Sequence, residues 1–170
     1  MLLRPAEPPD ALAVARVHVR SWQVGYRSLL PDSFLERLRP EERAARYIFG
    51  DPDPQKPWTI VAVEDGTILG FATTSPSRDA DLPHYGELCA MYVDPDHWGR
   101  GIGAALMDEA QNRLRQYGFA HGLLWMLAGN TRAERFYRGA GWLPDATQKT
   151  REVWGVTVEE HRFCRELASP

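Results

Sequence analysis

Apolar residues recur at intervals of three and four positions along two long stretches of the chain, which is the spacing of one helix face. The first stretch starts after Pro8-Pro9-Asp10, and Asp10 is its predicted cap. Its apolar face consists of Leu12, Ala15, Val19, Trp22 and Tyr26. The second stretch covers residues 101–117 and ends at Gly118, a common helix terminator. Its apolar face consists of Ile102, Leu106, Ala110, Leu114 and Tyr117. Shorter helices are predicted over 33–38, 41–49 and 131–140, with Thr131 capping the last and Glu134 completing a capping box.

Strands are predicted where apolar and β-branched residues alternate or run together, at 1–4, 58–64, 68–75, 85–93, 122–127, 142–145 and 156–167. Asp65-Gly66 separates the second and third of these segments, and this pair favours a tight hairpin turn. The segment 122–127 is almost wholly apolar, which is typical of a strand that is buried on both faces beside a parallel neighbour. A hairpin-led sheet that continues into a strand–helix–strand unit predicts a mixed α/β fold.

Composition narrows the class of protein without assigning a function. The 170 residues predict one domain over 1–170, and 44% hydrophobic with 25% charged residues is an ordinary globular mixture. A net charge of −3 gives no bulk positive field, so we expect no nucleic-acid or membrane partner. Cys89 and Cys164 are 75 positions apart without metal-ligand spacing, so we expect no metal site. No apolar stretch resembles a signal peptide, so a cytoplasmic setting is expected.

Three of the fourteen glycines alternate in the segment Gly99-Arg100-Gly101-Ile102-Gly103-Ala104, between the strand 85–93 and the long helix behind it. Glycines let a backbone approach a ligand closely, and the start of a helix presents free N–H groups to an anion. The segment therefore predicts a phosphate site, although a tight turn would need the same glycines. The Lys-Ser/Thr ending of a P-loop is absent. A dinucleotide fingerprint lacks its acidic residue about 20 positions further on.

Two motifs resemble a known family. Tyr92-Val93-Asp94-Pro95 followed by the glycine segment resembles the acyl-coenzyme A motif of the GNAT N-acetyltransferase superfamily, Gln/Arg-x-x-Gly-x-Gly/Ala, with Trp98 at the Gln/Arg position. Asn130-Thr131-Arg132-Ala133, Phe136-Tyr137 and Gly141-Trp142 resemble its Asn-x-x-Ala-x-x-x-Tyr-x-x-x-Gly-Phe segment. This resemblance implies a single α/β domain whose mostly antiparallel, mixed sheet contains a central parallel strand pair flanked by helices.

The resemblance also implies acetyl-CoA as co-substrate, with direct transfer of its acetyl group to an amine. The pantetheine arm would lie between the strands 85–93 and 122–127, paired with main-chain groups of Met91, Tyr92 and Val93. The pyrophosphate-binding amides would be those of Gly99, Arg100, Gly101, Ile102, Gly103 and Ala104. Asn130 would contact the arm, and simple helix capping is the alternative for this residue.

For the chemistry, the resemblance implies Tyr137 as the general acid that protonates the departing thiolate, with a core aromatic as the alternative. Glu87 resembles the base of some members, with an exposed strand-end carboxylate as the alternative. Trp22 and Tyr26 resemble the wall of the acceptor site, although their spacing equally predicts core residues.

The expected acceptor is a small-molecule or amino-acid-like amine, and a homodimer is left open. Two alternatives stay open beside this function: a protein lysine or N-terminal acetyltransferase, and a non-catalytic module that senses acyl-CoA. A nicotinamide-dependent enzyme is a less favoured interpretation of the glycine segment.

Overall fold

The structure, a computed structural model, describes residues 1–167, so residues 168–170 of the predicted domain lie outside it. The strands are β1 Leu2–Pro5, β2 Trp58–Glu64, β3 Thr67–Pro76, β4 Gly86–Val93, β5 His121–Leu127, β6 Leu143–Val153 and β7 Val156–Glu166. The α-helices are α1 Ala11–Gly25, α2 Asp32–Leu35, α3 Pro40–Ala44, α4 Ile102–Gln116 and α5 Thr131–Gly139. Short 3-10 turns cover Pro8–Asp10 and Pro95–His97.

The seven strands form one sheet in the order β1-β2-β3-β4-β5-β7-β6. The β4–β5 pair is parallel and the other neighbouring pairs are antiparallel, which confirms the predicted fold class. Pairing of β4 with β5 is confined to Gly86–Leu88 opposite Gly122–Leu124. Since β4 continues to Val93 and β5 to Leu127, the two strands separate beyond this point and leave a gap in the middle of the sheet.

Helices cover both faces of the sheet. On one face α4 buries Leu106 and Met107 against the sheet, with Phe136 and Tyr137 of α5 packed at the edge of the same cluster. On the other face α1 buries Val14 and Val17 around Phe71. The predicted stripe of α4 is confirmed except at its end: Tyr117 follows the helix and is 41% exposed. No helix of residues 1–167 is long and apolar enough to cross a membrane.

The helix caps differ from the prediction. Asn130, not Thr131, caps α5, because its Oδ1 accepts a hydrogen bond from the amide of Ala133 at 3.1 Å. The carboxylate of Asp10 makes no capping bond to α1 and instead binds the guanidinium of Arg4 at 2.6 and 2.9 Å.

The last hairpin is longer than predicted. A strand was expected over 142–145, whereas β6 continues to Val153 and turns back through Trp154 and Gly155, both with positive φ. β6 is an edge strand and most of its side chains are exposed, so polar residues replace the apolar alternation that marks a half-buried strand.

Candidate active site

A cavity of about 390 Å³, which we call the gap cavity, lies where β4 and β5 separate. It is closed by α1 on one side of the sheet and by α5 on the other. The sequence-predicted site residues that line it are Trp22, Tyr26, Met91, Tyr92, Val93, Gly103, Asn130 and Tyr137. Trp22 also belongs to a buried core cluster, so it is a core residue that lines the cavity as well. The fold thus brings together residues of α1, β4, α4 and α5 and of the ends of these elements.

The main-chain groups of β4 divide between the sheet and the gap. The amide of Asp94 donates to the carbonyl of Leu69 at 2.8 Å, and antiparallel hydrogen-bonded pairs alternate along a ladder. The main-chain groups of Tyr92, opposite Phe71, therefore hydrogen-bond to β3, whereas those of Met91 and Val93 face the gap. Main-chain groups of all three residues are predicted to bind the ligand; those of Tyr92 pair with β3 in the structure, and Tyr92 also lines the gap cavity.

Trp98, at the Gln/Arg position of the motif, ties the glycine segment to the end of β4. Its indole Nε1 donates to the carbonyl of Val93 at 2.8 Å, and the Ser21 hydroxyl donates to the same oxygen at 3.1 Å. The guanidinium of Arg132 lies 3.1 Å from the centroid of the Trp98 ring system. Trp98 therefore forms part of the cavity wall and hydrogen-bonds the carbonyl of Val93. The amide of Val93 and the amide and carbonyl of Met91 are left for a ligand.

The glycine segment presents free backbone donors beside the gap cavity. Gly99 and Gly101 have φ of 78° and 79°, a conformation that favours glycine, and a Cβ would meet nothing within 4 Å at either position. In residues 1–167 the amides of 99–101 donate to no protein acceptor, and those of 102–104 form the first turn of α4, where helices leave N–H groups unpaired. Such a concave set of donors fits the oxygens of a pyrophosphate.

The side chain of Arg100 turns away from this segment. Its Nη2 pairs with Oε2 of Glu64 at 2.7 Å, at the end of β2. Arg100 therefore contributes its amide to the free donors, while its charge is engaged by a carboxylate outside the gap.

Tyr137 projects from α5 into the gap cavity. Its ring contacts Phe136 and Phe163, with centroid separations of 5.6 and 6.4 Å, but no described residue hydrogen-bonds its hydroxyl. Burial raises the pKa of Tyr137, so the phenol keeps its proton at neutral pH. Nearby, the hydroxyls of Tyr26 and Tyr92 lie 3.5 Å apart, and burial raises the pKa of both. A protonated phenol thus faces the cavity from the position predicted for the general acid.

Glu87 lies in the parallel pairing of β4 with β5 and does not line the gap cavity. It is 2% exposed, so the alternative of an exposed strand-end carboxylate is wrong. The Arg78 side chain binds both of its oxygens, at 2.6 Å to Oε1 and 3.1 Å to Oε2, and the Arg78 amide donates to Oε2 at 3.2 Å. These contacts hold the loop after β3 against β4, and they engage the carboxylate that was predicted as the base.

The sequence reasoning missed a second carboxylate, Glu160 on β7. It is 6% exposed and is the one acidic residue among the described residues that line the gap cavity. Arg151 of β6 binds both of its oxygens, at 2.6 and 2.9 Å. A signal for Glu160 was present, because it falls on the same side of the alternating strand as the buried Val158. A charged residue at an inward position is a candidate for function.

Comparison with known proteins assigns the family. A model of the acetyltransferase (GNAT) family matches residues 18–142. The chain belongs to this family. The resemblance drawn from the two motifs is thereby confirmed, and with it the expectation of an acetyltransferase.

The similar proteins cover between 62% and 97% of this chain. YuaI of Bacillus subtilis (strain 168), an uncharacterized N-acetyltransferase, is 29% identical over 166 residues, which cover 93% of this chain and 88% of YuaI. A mycothiol acetyltransferase of Sanguibacter keddieii is 34% identical over 112 residues, 62% of this chain and 33% of that protein. The PaiA N-acetyltransferase of Thermoplasma acidophilum, solved with coenzyme A, superposes with a TM-score of 0.76 at 17% identity, covering 97% of this chain and 98% of that chain. At this identity the superposition shows the fold.

Within this GNAT chain, the Cys89 side chain is the thiol that lines the gap cavity. Burial raises the pKa of this thiol to about 11, and the Ser75 hydroxyl lies 3.1 Å from its Sγ. Because the thiolate is the reactive form, Cys89 is a poor nucleophile at neutral pH. This favours transfer without an acyl group on the protein.

Proposed function

We propose that this GNAT chain transfers the acetyl group of acetyl-CoA directly to a primary amine of a small molecule. The observation that carries the proposal is the gap between β4 and β5, where unpaired main-chain groups, the free amides of the glycine segment and a protonated phenol meet. The relatives named mycothiol acetyltransferase support a small-molecule acceptor, although the chain spans only about a third of their length.

The residues present fit the co-substrate. The amides of Gly99, Arg100, Gly101, Ile102, Gly103 and Ala104 bind the pyrophosphate, as a helix start binds other anions. The pantetheine arm enters the gap and pairs with the free main-chain groups of Met91 and Val93. The Oδ1 of Asn130 is used in capping α5, while its side-chain NH₂ group has no acceptor among the described residues and is free to contact the arm.

The transfer requires two proton movements, and the cavity offers a group for each. The amine nitrogen bonds to the carbonyl carbon as the carbon–sulfur bond breaks, so the sulfur gains a proton and the amine loses one. Tyr137 supplies the proton to the sulfur. Glu160 accepts the proton of the amine, since it is the carboxylate that faces the cavity, with Glu87 as the alternative base suggested by the family resemblance.

A thiol-release assay with acetyl-CoA and a panel of amines, amino acids and peptides tests the proposal. Tyr137→Phe is expected to lower kcat by about 100- to 10,000-fold, the range for one lost general acid. Tyr26→Phe removes a neighbouring hydroxyl of the same cavity and is the matched control, expected to change kcat far less. Melting curves with and without acetyl-CoA check that both variants fold and bind.

The outcomes separate the alternatives. Acetylation of peptides with no small amine accepted would contradict the proposed acceptor class and favour a protein acetyltransferase. A melting temperature raised by acetyl-CoA, with no thiol released for any acceptor, would contradict catalysis and favour a sensor. Equal loss in Glu87→Gln and Glu160→Gln would contradict a base that acts from the cavity alone.

A further inference from the structure

A second cavity of about 590 Å³ lies on the α1 face of the sheet, and we call it the outer cavity. No feature described so far assigns it a role. It lies directly against the gap cavity, and the two share the lining residues Trp22, Cys89, Ala90, Tyr92, Arg151 and Val153. A molecule in the outer cavity can therefore direct one end into the gap, where the thioester would lie under the proposed function.

The floor of the outer cavity is a cluster of packed rings, in which His18 and Phe71 are almost fully buried. His18 is at its centre, with ring centroids 4.4 Å from Tyr92, 4.9 Å from Trp154 and 5.5 Å from Phe71. The Nδ1 of His18 lies 2.6 Å from the hydroxyl of Tyr47. Burial lowers the pKa of His18 well below its usual value, with a further contribution from the charge of Arg43, so the ring is neutral. Flat, uncharged rings held in this way favour a flat, apolar ligand body.

The cationic side chains around this floor differ in whether they are already paired. Arg78 and Arg151 each bind a buried glutamate, as described above. Arg43 of α3 forms no ion pair with any described residue, although it is half-buried and its guanidinium lies 5.0 Å from the Tyr47 ring and 4.9 Å from the Trp154 ring. Its one hydrogen bond runs from Nε to the Tyr47 hydroxyl at 3.4 Å.

No carboxylate that lines the outer cavity in the described residues pairs with Arg43. The other unpaired cations, Arg46 and Lys56, are exposed, as are the two lining carboxylates, Asp51 and Glu152. Exposed charges are screened by water, whereas a guanidinium seated on aromatic rings keeps a stronger field toward the cavity. A planar guanidinium with free donors matches the oxygens of an anion.

We propose that the acceptor is a primary amine with an aromatic or similarly flat body and an anionic group, and that Arg43 binds this anion. The inference rests on the proposed function and names the substrate class of that same site. The anion lies on Arg43, the ring against the partly exposed rings of Tyr92 and Trp154, and the amine at the opening into the gap cavity. A cavity of this size falls within the range of small-molecule sites.

The test compares kcat/KM in the thiol-release assay for three amines with the same ring and aminoethyl arm: 2-phenylethylamine and its 4-carboxylate and 4-phosphonate derivatives, in which the anion lies across the ring from the amine. We expect at least one of the two anionic amines to exceed the neutral one by about 10- to 150-fold, the range for hydrogen bonds to a charged group. Arg43→Gln is expected to bring this ratio close to one. Arg37→Gln, an exposed arginine outside both cavities, is the matched control and is expected to keep the wild-type ratio.

A second measurement needs no variant and covers a failure of Arg43→Gln to fold. We expect 3-phenylpropanoate to inhibit the wild-type enzyme competitively against the anionic amine that it uses best, and the uncharged amide of 3-phenylpropanoate to inhibit far less. Neutral and anionic amines used equally well, or equal inhibition by acid and amide, would overturn the anion site while leaving the proposed function intact. No thiol release with any amine would overturn both.

Discussion

Replacing Gly101 by alanine probes the phosphate site through the backbone alone. Gly101 has φ of 79°, and an added Cβ would meet no atom within 4 Å, so the substitution introduces strain without a steric clash. A non-glycine residue in the left-handed region costs about 1–2 kcal/mol. For a chain of this size each kcal/mol lowers Tm by about 2–4 °C. Relief of the strain turns the peptide planes on both sides of residue 101, and the amides of Gly101 and Ile102 turn with them.

The expected consequence for binding follows from those two donors. A hydrogen bond to a charged acceptor contributes about 1.5–3 kcal/mol, so the loss of one weakens acetyl-CoA binding about 10- to 150-fold. Isothermal titration with CoA at fixed ionic strength measures this change. Gly118→Ala is the matched control, because Gly118 lies at the other end of α4 with φ of 84° and equally open surroundings. Unchanged affinity in Gly101→Ala, or equal losses in both variants, would refute the site.

Three further outcomes follow from charges and protons. Burial raises the pKa of Tyr137, so its proton stays in place and kcat should show no loss from this group below pH ~10; a pH–rate profile checks this. Glu87→Gln keeps the size and shape of the side chain but removes the charge that binds Arg78. We expect the free energy of unfolding in urea to fall by about 1–3 kcal/mol and the shape of the pH–rate profile to stay unchanged. The Arg162 guanidinium, which is 5% exposed and contacts three aspartates, holds the pKa of Asp81 below its usual value. The ion pair of Arg162 with Asp81 therefore stabilises the folded protein above the usual aspartate pKa of about 3.9, and this contribution is lost as the pH falls below that value. Arg162→Gln should therefore flatten the decrease of the urea unfolding midpoint below pH ~4.

The elements predicted well from the sequence are those whose pattern reflects burial on a regular spacing. The stripe of α4 and the apolar run of β5 are buried in the structure as expected, since each contributes one face or both faces to the core. The glycine segment was predicted for a different reason. Gly99 and Gly101 adopt a backbone conformation that only glycine adopts easily, so the residue type itself marks the local geometry.

The parts that escaped prediction depend on contacts between distant segments. β6 lies at the sheet edge and carries polar residues, so its length became visible only through its pairing with β7. The ion pair of Arg151 with Glu160 requires the register of that hairpin, which no local pattern specifies. The outer cavity likewise combines α1, α3, β3, β4 and the turn at Trp154. Arg43 is recognisable as its half-buried cation without an ion pair only when the ion pairs of the other charged residues are known.

Direct transfer of the acetyl group from acetyl-CoA to an amine is the central step of the proposed function. A rapid-quench experiment with an accepted amine measures it most directly, with released thiol, acetylated amine and intact protein mass followed together. The expected result is one thiol released for each amine acetylated, with no acetyl group on the protein at any time. An acetylated Cys89 that forms before the amine is added and disappears after it would contradict the account, as would acetyl-CoA that binds but releases no thiol.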